Sequence, residues 1–499
     1  MTPELLSLSR YLASSRAEFA LSEMNQYLSR QYNEKEIYET LKPHLYDLDL
    51  FCDPQFKCTK LKKQALPFDE AVIRELEALL KTPQLPGRIE KLISSFIERS
   101  CGKDWHTGEK ARLLRENIVK QKEEYWQGRS QYTDMSIMSY LLYHFPVYFC
   151  QFQFLLLDMF RSGLLTNRMS ILDAGSGPGT ITLSAIDFIQ KLQGIYSKMN
   201  MEVKMNIRID SIERSQENID CYNELTSSYL KGETLDNTNI IINKPLHAPV
   251  EKAESPKDRD LIIFSNILAE LSASPAERAN VVERIASESK NATIIIIEPA
   301  DLVNSKALRI TQQALLKKGF TIYSPCSFIW GVGCKGENCW SFRQAGNILV
   351  PEFMRKIAGK EEQYRYINTD MKFSYVILRK DGLAKNAYQA KGKFVRLSNL
   401  KKHIEKRINV VGSVMSGNLG DEKTFVFKIC DGSTSIPAYA VVPAYHMNDK
   451  NQALFQAGYG DIVEIYGVLV RENKEFSSYN LLITRNTTVL NINNDSNFI

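Results

Sequence analysis

A glycine-rich turn between an apolar run and a helical pattern constrains this chain more than any other feature. Residues 170–188 read SILDAGSGPGTITLSAIDF, in which three glycines at alternate positions follow the apolar run. Glycine has no Cβ, so the backbone can turn sharply there and approach a ligand closely. A strand, a tight glycine turn and a helix in this order form the ligand crevice of an open α/β sheet. The stretch therefore predicts an α/β domain that binds a ligand at the turn.

Three kinds of pattern succeed one another along the 499 residues. Apolar residues spaced three and four apart, up to about residue 160, predict a helical N-terminal region. Short β-rich runs then alternate with helical stretches, which predicts a doubly wound, mostly parallel sheet covered on both faces. After residue 383, five strand-like runs with a short helical piece between the third and fourth predict an OB-like β-barrel. We therefore predict an α/β protein of three domains, with bounds 1–160, 161–383 and 384–499.

The composition is that of a globular protein without a membrane or secretory segment. No run approaches the roughly 18 apolar residues that a membrane helix needs, and no signal-peptide pattern opens the chain. Glu4 and Glu18 place acids in the N-terminal segment, which is not typical of a mitochondrial transit peptide. We therefore expect a cytoplasmic protein with no membrane partner; the mitochondrial matrix is the alternative. Nine cysteines in such a chain predict no disulfide partners.

The glycine spacing and the acids around it predict a site for S-adenosylmethionine (SAM). The run is G-x-G-x-G, formed by Gly175, Gly177 and Gly179, and not the G-x-G-x-x-G of a dinucleotide site. Asp173 precedes it by two positions and can bind the cationic amine of an amino-acid tail through a charge-assisted hydrogen bond. Glu213 ends the next predicted strand, where a carboxylate can accept hydrogen bonds from both ribose hydroxyls.

The third strand of the α/β region leads into FSNILAEL, which places Ser265 and Asn266 at the mouth of the predicted crevice. We include both in the SAM site, although a core or capping role is at least as common for such residues. The Asn/Asp-Pro-Pro-aromatic turn often found in DNA and RNA amino-methylases is missing from this sequence. Glu270 and Glu298 also lie near the predicted crevice, where acids are more often solvated or capping groups. The catalytic residue is therefore unknown from the sequence.

Three cysteines, Cys326, Cys334 and Cys339, fall within 14 residues of one another in YSPCSFIWGVGCKGENCWSFRQ. Thiolates select zinc or iron–sulfur clusters. Zinc ligands usually come as pairs two to four residues apart, whereas a cubane cluster, whose irons lie apart, tolerates this irregular spacing better. Cys430 ends a strand of the predicted barrel and is the best placed fourth ligand. The alternative for Cys430 is a structural cysteine in a buried strand.

A basic stretch leads into the predicted barrel. It holds one acid, Glu405, among the basic residues Lys385, Lys391, Lys393, Arg396, Lys401, Lys402, Lys406 and Arg407. Such a stretch either neutralises nucleic-acid phosphates or is a solvated linker. Phe425, Phe427 and Tyr439 are candidates for stacking on bases, although alternate aromatic residues in a small barrel more often belong to its core.

Taken together, these motifs resemble those of the mitochondrial ribosome small-subunit assembly proteins of the methyltransferase-like family and their bacterial and archaeal relatives. The resemblance covers about residues 85–467 and is carried by LPGRIEKLI, YLLYHFPVYF, ILDAGSGPGT, SIERS, DLIIFSNILAEL, IIIIEP, SPC, CWSFRQ, FSYVILRK and FKICDGS. It implies a helical N-terminal region, a class I SAM-methyltransferase Rossmann-like domain and a small β-domain. It also implies a [4Fe–4S] cluster on Cys326, Cys334, Cys339 and Cys430, and binding to small-subunit rRNA and assembly intermediates.

Some residues depart from the family pattern. The family's Pro-Cys-Pro-His is Pro-Cys-Ser-Phe here, and His144 stands where an arginine is usual.

Three functions follow as hypotheses. The first is a SAM-binding, iron–sulfur-containing methyltransferase acting on small-subunit rRNA during ribosome assembly or translation. The second is a non-catalytic rRNA-binding assembly factor, and the third is a zinc-dependent nucleic-acid-binding protein with a vestigial SAM domain.

Overall fold

The computed structural model describes residues 2–127, 134–231, 237–271, 273–331, 333–334, 336, 339–359, 363–386, 388–390 and 392–492. These residues belong to two compact units. The first unit comprises Met1–Ala253, Lys257–Ile263 and Asn347–Asp370, and the second comprises Glu254–Pro256, Phe264–Gly346 and Met371–Ile499. The division into three domains made from the sequence stays a prediction.

Several helices begin where a side chain caps the first turn. The side chains of Asp69, Ser215 and Asp301 each accept a hydrogen bond from a backbone N–H of the first turn that follows, which satisfies a donor that the helix leaves unpaired. None of the described helices is long and apolar enough to span a membrane. The α-helices are α1 (Thr2–Ser15), α2 (Glu34–Leu41), α3 (Glu70–Leu80), α4 (Gly87–Cys101), α5 (Gly108–Gln127), α6 (Asp134–Tyr143), α7 (Phe145–Arg161), α8 (Thr180–Lys198), α9 (Gln216–Leu230), α10 (Pro275–Ile285), α11 (Leu302–Lys317), α12 (Glu352–Ala358), α13 (Gln363–Tyr366) and α14 (Ala453–Gln456).

The strands fall into three sheets. They are β1 (Glu18–Ala20), β2 (Leu50–Cys52), β3 (Lys57–Lys60), β4 (Arg168–Ala174), β5 (Met205–Glu213), β6 (Thr238–Ile242), β7 (Leu246–His247), β8 (Leu261–Ser265), β9 (Thr293–Pro299), β10 (Thr321–Ser324), β11 (Arg343–Asn347), β12 (Asp370–Arg379), β13 (Arg407–Val414), β14 (Thr424–Cys430), β15 (Ala438–Pro443), β16 (Ile462–Asn473), β17 (Ser478–Leu482) and β18 (Thr488–Asn491).

The N-terminal region of the first unit is helical, as predicted, but it also contains a small antiparallel sheet in the order β1-β3-β2. Its strands are only three or four residues long, which is too short for an alternating pattern to stand out. A disulfide joins Cys52 and Cys58, so the prediction of no disulfide partners is wrong. The two residues face each other in the register of β2 and β3, and only this pairing brings the thiols together.

The main sheet of the first unit has the strand order β6-β5-β4-β8. Strands β4, β5 and β6 run parallel to one another. The chain therefore moves outward from β4 to β6 and then returns to place β8 on the other side of β4. This reversal is the switch point of a doubly wound sheet, where the connections leave a crevice at the carboxyl ends of the strands. Helix α8 follows β4 directly and is buried along most of its length.

In the second unit the strand order is β8-β9-β12-β10. Strand β8 is named in both units because its first three residues belong to the first unit and its last two to the second. Strand β9 is buried from Thr293 to Glu298, as expected for a strand covered on both faces. Strand β12 lies between β9 and β10 and runs antiparallel to both, although it comes last in the chain. The predicted α/β class is confirmed.

The second unit also contains a closed barrel of five strands in the order β13-β14-β15-β17-β16, which returns to β13. Strands β15 and β17 pair in parallel, and the other pairs are antiparallel. Helix α14 lies between β15 and β16 in the chain, as the OB-like prediction requires. A sixth strand, β18, adds to β16 and was not predicted. The barrel core is mostly aliphatic and includes Val410, Ala440 and Val463, each fully buried.

Candidate functional site

The glycine turn that follows β4 has the backbone that the sequence predicted. Gly175, Gly177 and Gly179 have φ angles of 82°, 52° and 95°, a region that disfavours residues with a Cβ. A Cβ on Gly179 would lie 3.0 Å from the ring of Tyr222, so this glycine lets α8 begin against α9. A Cβ on Gly177 would meet no atom within 4 Å among the described residues. Gly177 therefore presents backbone to open space, as a ligand-binding loop does.

Glu213, the last residue of β5, is connected to this loop. Its Oε2 accepts a hydrogen bond from the backbone N–H of Gly177 at 2.8 Å. Its Oε1 accepts from the backbone N–H groups of Arg214 and Ser215, both at 2.9 Å. The side chain is only 6% exposed. The carboxylate thus joins the end of β5 to the glycine loop and is held at a fixed position by backbone donors.

Asp173 lies beneath the same loop and carries a buried acceptor without a partner. Its Oδ2 accepts a hydrogen bond from the Thr182 hydroxyl at 2.9 Å, whereas its Oδ1 has no hydrogen-bond partner among the described residues. The carboxyl is 1% exposed, and this burial raises its pKa to about 7. A buried carboxylate oxygen without a donor is costly, so the site favours a ligand that brings a donor or a positive charge.

Ser265 and Asn266 belong to the second unit, where they end β8 and begin the following turn. Asn266 has a φ angle of 56°, and its backbone N–H donates to the carbonyl of Ile297 at 2.8 Å. Its side-chain amide donates to the Ser265 hydroxyl at 3.2 Å. The two residues therefore form one ordered turn. Their assignment to the SAM site stays a prediction.

Glu298, at the end of β9, shapes the same turn. Its Oε1 accepts hydrogen bonds from the backbone N–H groups of Leu268 and Ala269, at 3.0 and 3.2 Å. The side chain is 2% exposed, and burial raises its pKa to about 8. Glu298 thus has the capping role that the sequence analysis considered more common for such an acid than a catalytic role. The carboxylate of Glu298 therefore stabilises the turn that contains Asn266. No local sequence pattern predicted this contact.

The four predicted metal ligands line one cavity within the second unit: Cys326, Cys334, Cys339 and Cys430. The pKa of the Cys430 thiol is raised, mainly by burial and then by the neighbouring thiols of Cys339, Cys334 and Cys326. Among the residues described, however, no group of three or more histidine, cysteine, aspartate or glutamate side chains has the geometry to hold a metal ion. The fold thus gathers the four thiols around one cavity, in an arrangement that is not the site of a single metal ion.

Two buried cations lie beside these cysteines, and the sequence analysis named neither. Arg309 of α11 is 1% exposed and lines the cavity with the cysteines. Lys428 of β14 is 7% exposed, and its ammonium group donates to the Cys339 sulfur at 3.5 Å and to the Trp340 carbonyl at 2.6 Å. A basic residue two positions before a cysteine was the only sequence signal for Lys428. No sequence signal pointed to Arg309, because it belongs to a separate element, helix α11.

The C-terminal part of the basic stretch is folded onto the barrel, whereas Lys391 lies outside the described residues. Residues 397–403 form a 3-10 helix whose Leu397 and Leu400 belong to the barrel core, so the segment is not a solvated linker. Lys401 and Lys402 on this helix are exposed. Of the aromatic candidates, Phe427 is a core residue with 6% exposure, as the sequence analysis considered more common. Phe425 is partly buried and packs edge-on against Phe455.

The strand order around β4, the glycine loop at the switch point and the added barrel define a methyltransferase-like α/β protein with an OB-like β-barrel. The sequence profile described as mitochondrial small ribosomal subunit Rsm22 matches residues 134–408, more than half of the chain. The chain belongs to this Rsm22 family. Two further profiles match the ends of the chain, both described as parts of a domain of unknown function (DUF8157): its N-terminal domain at residues 2–54 and its C-terminal domain at residues 398–492.

Solved structures with similar parts are remote. A putative class I S-adenosylmethionine-dependent methyltransferase from Listeria monocytogenes is 9% identical, with 64% of this chain and 92% of that one covered and a TM-score of 0.29. The N-methyltransferase NodS from Bradyrhizobium japonicum, in complex with S-adenosyl-L-homocysteine, is 10% identical, with 43% and 78% covered and a TM-score of 0.23. The HINb domain of p204 is 12% identical, with 20% and 47% covered and a TM-score of 0.16. TM-scores this low say nothing about function. No curated protein matches the chain.

Proposed function

We propose that this chain is a SAM-binding, iron–sulfur-containing, methyltransferase-like protein that acts on small-subunit rRNA during ribosome assembly or translation. The observation that carries the SAM assignment is the unpartnered, buried Oδ1 of Asp173 beneath a glycine loop that is open at Gly177. Membership of a family described as mitochondrial small ribosomal subunit supports the ribosomal setting.

The chemistry of the loop suits the two polar ends of SAM. Asp173 offers the carboxylate oxygen that the α-amino group needs, and a charge-assisted hydrogen bond there satisfies the buried acceptor. Glu213 is held by the Gly177, Arg214 and Ser215 backbone groups, so its remaining lone pairs face a defined direction for ribose hydroxyls. Gly175 and Gly179 complete this part of the proposed site by shaping the turn. Ser265 and Asn266 stay in the proposed site as the sequence assigned them.

The cysteine cavity suits a centre held by thiolates. Cys326, Cys334, Cys339 and Cys430 supply four soft sulfur ligands, and Arg309 and Lys428 supply positive charge beside them. A [4Fe–4S] cluster, whose irons are separated by inorganic sulfide, is the centre that we propose, and Zn²⁺ is the alternative. When bound, either centre would brace the loop of residues 326–339 against the barrel strand that ends at Cys430.

The exposed lysines of the 3-10 helix and the OB-like barrel support the RNA part of the proposal. Oligonucleotides are common ligands of such barrels, and phosphate neutralisation by lysine makes binding steeply dependent on salt. We expect Lys401→Ala with Lys402→Ala to weaken binding to small-subunit rRNA and to lower the salt dependence by about one unit of slope per lost phosphate contact. The exposed Lys290, outside the barrel, provides the control as Lys290→Ala.

Methyl transfer is tested directly with radiolabelled SAM and rRNA, either naked or within assembly intermediates. Label in rRNA with the wild type, and its loss with Gly177→Arg, would support the enzyme. The second candidate, a non-catalytic assembly factor, is favoured by the turn after β8, where Glu298 binds backbone N–H groups and the amino-methylase turn is missing. SAM binding without transfer to any intermediate would select it.

SAM binding itself is measured by calorimetry on the full chain. We expect Gly177→Arg to abolish it, because the new side chain would fill the space that the loop leaves open. Gly194→Ala, within α8 and with no atom near its added Cβ, is the matched control. Unchanged affinity in Gly177→Arg would refute the site. A vestigial SAM domain beside a zinc centre would show no SAM binding and stoichiometric zinc.

The cytoplasm is the compartment we propose, with the mitochondrial matrix as the alternative, and cell fractionation distinguishes them.

A further inference from the structure

Arg309 carries a full positive charge in the interior of the second unit and has no carboxylate partner among the described residues. Its Nη1 donates to Gln312 Oε1 at 2.7 Å and its Nη2 to the Tyr459 hydroxyl at 3.3 Å, whereas its Nε has no hydrogen-bond partner among the described residues. Both partners are neutral. An unpaired buried charge costs several kcal/mol, so a protein that retains one normally places an anion beside it.

Lys428, which lines an adjoining cavity with Cys334, Cys339 and Cys430, repeats this situation. Its ammonium group contacts the Cys339 sulfur and the Trp340 carbonyl, and within the described part of the chain no carboxylate forms an ion pair with it or with Arg309. The buried carboxylate that follows Cys430 is Asp431. Its oxygens are occupied by the Trp330 indole N–H, the Leu397 backbone N–H and Ser433.

Among the described residues that line the cavity with Arg309, the thiols are the groups able to supply negative charge. Cys326 and Cys339 line the cavity together with Arg309, and Gln312, which binds Arg309, also donates its side-chain N–H to the Cys326 sulfur at 3.7 Å. Two N–H donors thus approach two different sulfurs, one from Gln312 and one from Lys428. Hydrogen bonds and charges around thiolate ligands tune the affinity and the reduction potential of the centre they hold.

The charges also balance in number. Four thiolates around a doubly charged core, either Zn²⁺ or an oxidised [4Fe–4S]²⁺ cluster, carry a net charge of minus two. Arg309 and Lys428 together carry plus two. We infer that Arg309 and Lys428 are the counter-charges of a four-thiolate centre on Cys326, Cys334, Cys339 and Cys430, and that they hold it in the protein and favour its reduced form. This inference rests on the metal centre in the proposed function.

The test compares Arg309→Met and Lys428→Met with Lys317→Met, which removes an exposed charge from α11, the helix that carries Arg309. The full chain is purified anaerobically, its iron and sulfide are measured, and the rate at which a chelator removes iron is followed. We expect both cavity variants to lose iron at least tenfold faster than the wild type, and Lys317→Met to match the wild type. Equal rates in all four proteins would overturn the inference.

A second readout separates charge from general damage. Reduction by dithionite adds one electron, and so one negative charge, to the cluster. Removing a nearby positive charge should therefore shift the one-electron equilibrium toward the oxidised form at least tenfold, which is a midpoint about 59 mV more negative. A variant that is merely loosened would lose iron without this shift, and that result would refute the counter-charge role.

The outcome also distinguishes this inference from the proposed function. Wild-type protein with neither iron nor zinc would refute the metal centre and the counter-charges together. Wild-type protein with zinc alone would refute the cluster only, and the chelator comparison on the zinc form would then decide the counter-charge role. Stable iron in every variant would leave the cluster standing and overturn the role of Arg309 and Lys428.

Discussion

The carboxylate of Glu213 accepts a hydrogen bond from the backbone N–H of Gly177 at 2.8 Å, across 36 residues of chain. One side chain therefore fixes the glycine loop and, in the proposed site, receives the ribose. We expect Glu213→Ala to lower SAM affinity at least tenfold, because the variant loses both the acceptor and the restraint on the loop. Tenfold corresponds to about 1.4 kcal/mol, within the range of a hydrogen bond to a charged group.

Calorimetry on the full chain measures this change, with Glu217→Ala as the control. Glu217 is exposed in the first turn of α9, four positions further along, and its carboxylate contacts the Ser215 hydroxyl. An equal loss of affinity in the two variants would mean that Glu213 has no special position at the site.

The buried carboxyl of Asp173 makes the free energy of unfolding depend on pH. Burial raises its pKa in the folded protein to about 7, whereas an unfolded aspartate has a value near 3.9. The folded state therefore holds this proton more tightly, so the group lowers the free energy of unfolding as the pH rises from about 4 to 7. Asp173→Asn removes this effect. We expect the variant to gain stability over the wild type at pH 8 relative to pH 5, by about 3 kcal/mol at most.

Urea unfolding without ligand at the two pH values measures the gain, and Asp220→Asn on the exposed face of α9 is the control. A gain that is the same at both pH values would contradict the prediction. In the wild type, SAM should bind more tightly as the pH rises through 7, because its ammonium group pairs with the ionised carboxylate.

The variant Cys339→Ser tests whether the metal centre affects rRNA binding more than SAM binding. We expect Cys339→Ser to lose the brown colour and the iron of anaerobically purified protein and to weaken rRNA binding, while SAM affinity changes much less. The reason is that the cysteine cavity includes Cys430 at the end of a barrel strand, whereas the glycine loop lies in the first unit. Colour, iron content, rRNA binding and SAM calorimetry are compared with Cys101→Ser, outside the cavity. Equal loss of rRNA and SAM binding would refute this separation.

Tyr46 supports the amino ends of the central strands. Its ring centroid lies 4.6 Å from the guanidinium of Arg168 and 4.5 Å from that of Arg208, and its hydroxyl donates to Asp260 at 3.2 Å. Each cation–π contact contributes about 0.5–2 kcal/mol. We expect Tyr46→Leu to lower the free energy of unfolding by about 2–4 kcal/mol and Tyr46→Phe by about 1 kcal/mol. Urea unfolding measures both, and Tyr11→Leu, at a tyrosine that is 62% exposed, should have little effect.

Local patterns were sufficient for much of this protein. The glycine turn, the strand before it and the helix after it follow from the conformational freedom of glycine and from a run of apolar residues. The five barrel strands and the helix between the third and fourth were likewise predicted from alternation and turn residues. Each of these features depends on neighbours within a few positions, so a single sequence contains enough information for it.

Other features depend on residues far apart in the chain. The antiparallel position of β12 between β9 and β10 and the pairing of Cys52 with Cys58 follow from strand register, which the sequence did not reveal. Likewise, no pattern around Glu298 indicates that its carboxylate binds the turn after β8. These contacts form only when separate segments pack together.

The sequence by itself determined the class of fold, the glycine loop and the residue types that serve as candidate ligands. Only the tertiary structure decided which side chains meet. It left Asp173 with an unpaired oxygen, placed Arg309 beside Cys326 and brought Cys430 to the other three cysteines. The physical reason is that chain conformation is set by local sterics, whereas burial and electrostatic pairing are set by contacts between segments that the sequence keeps apart.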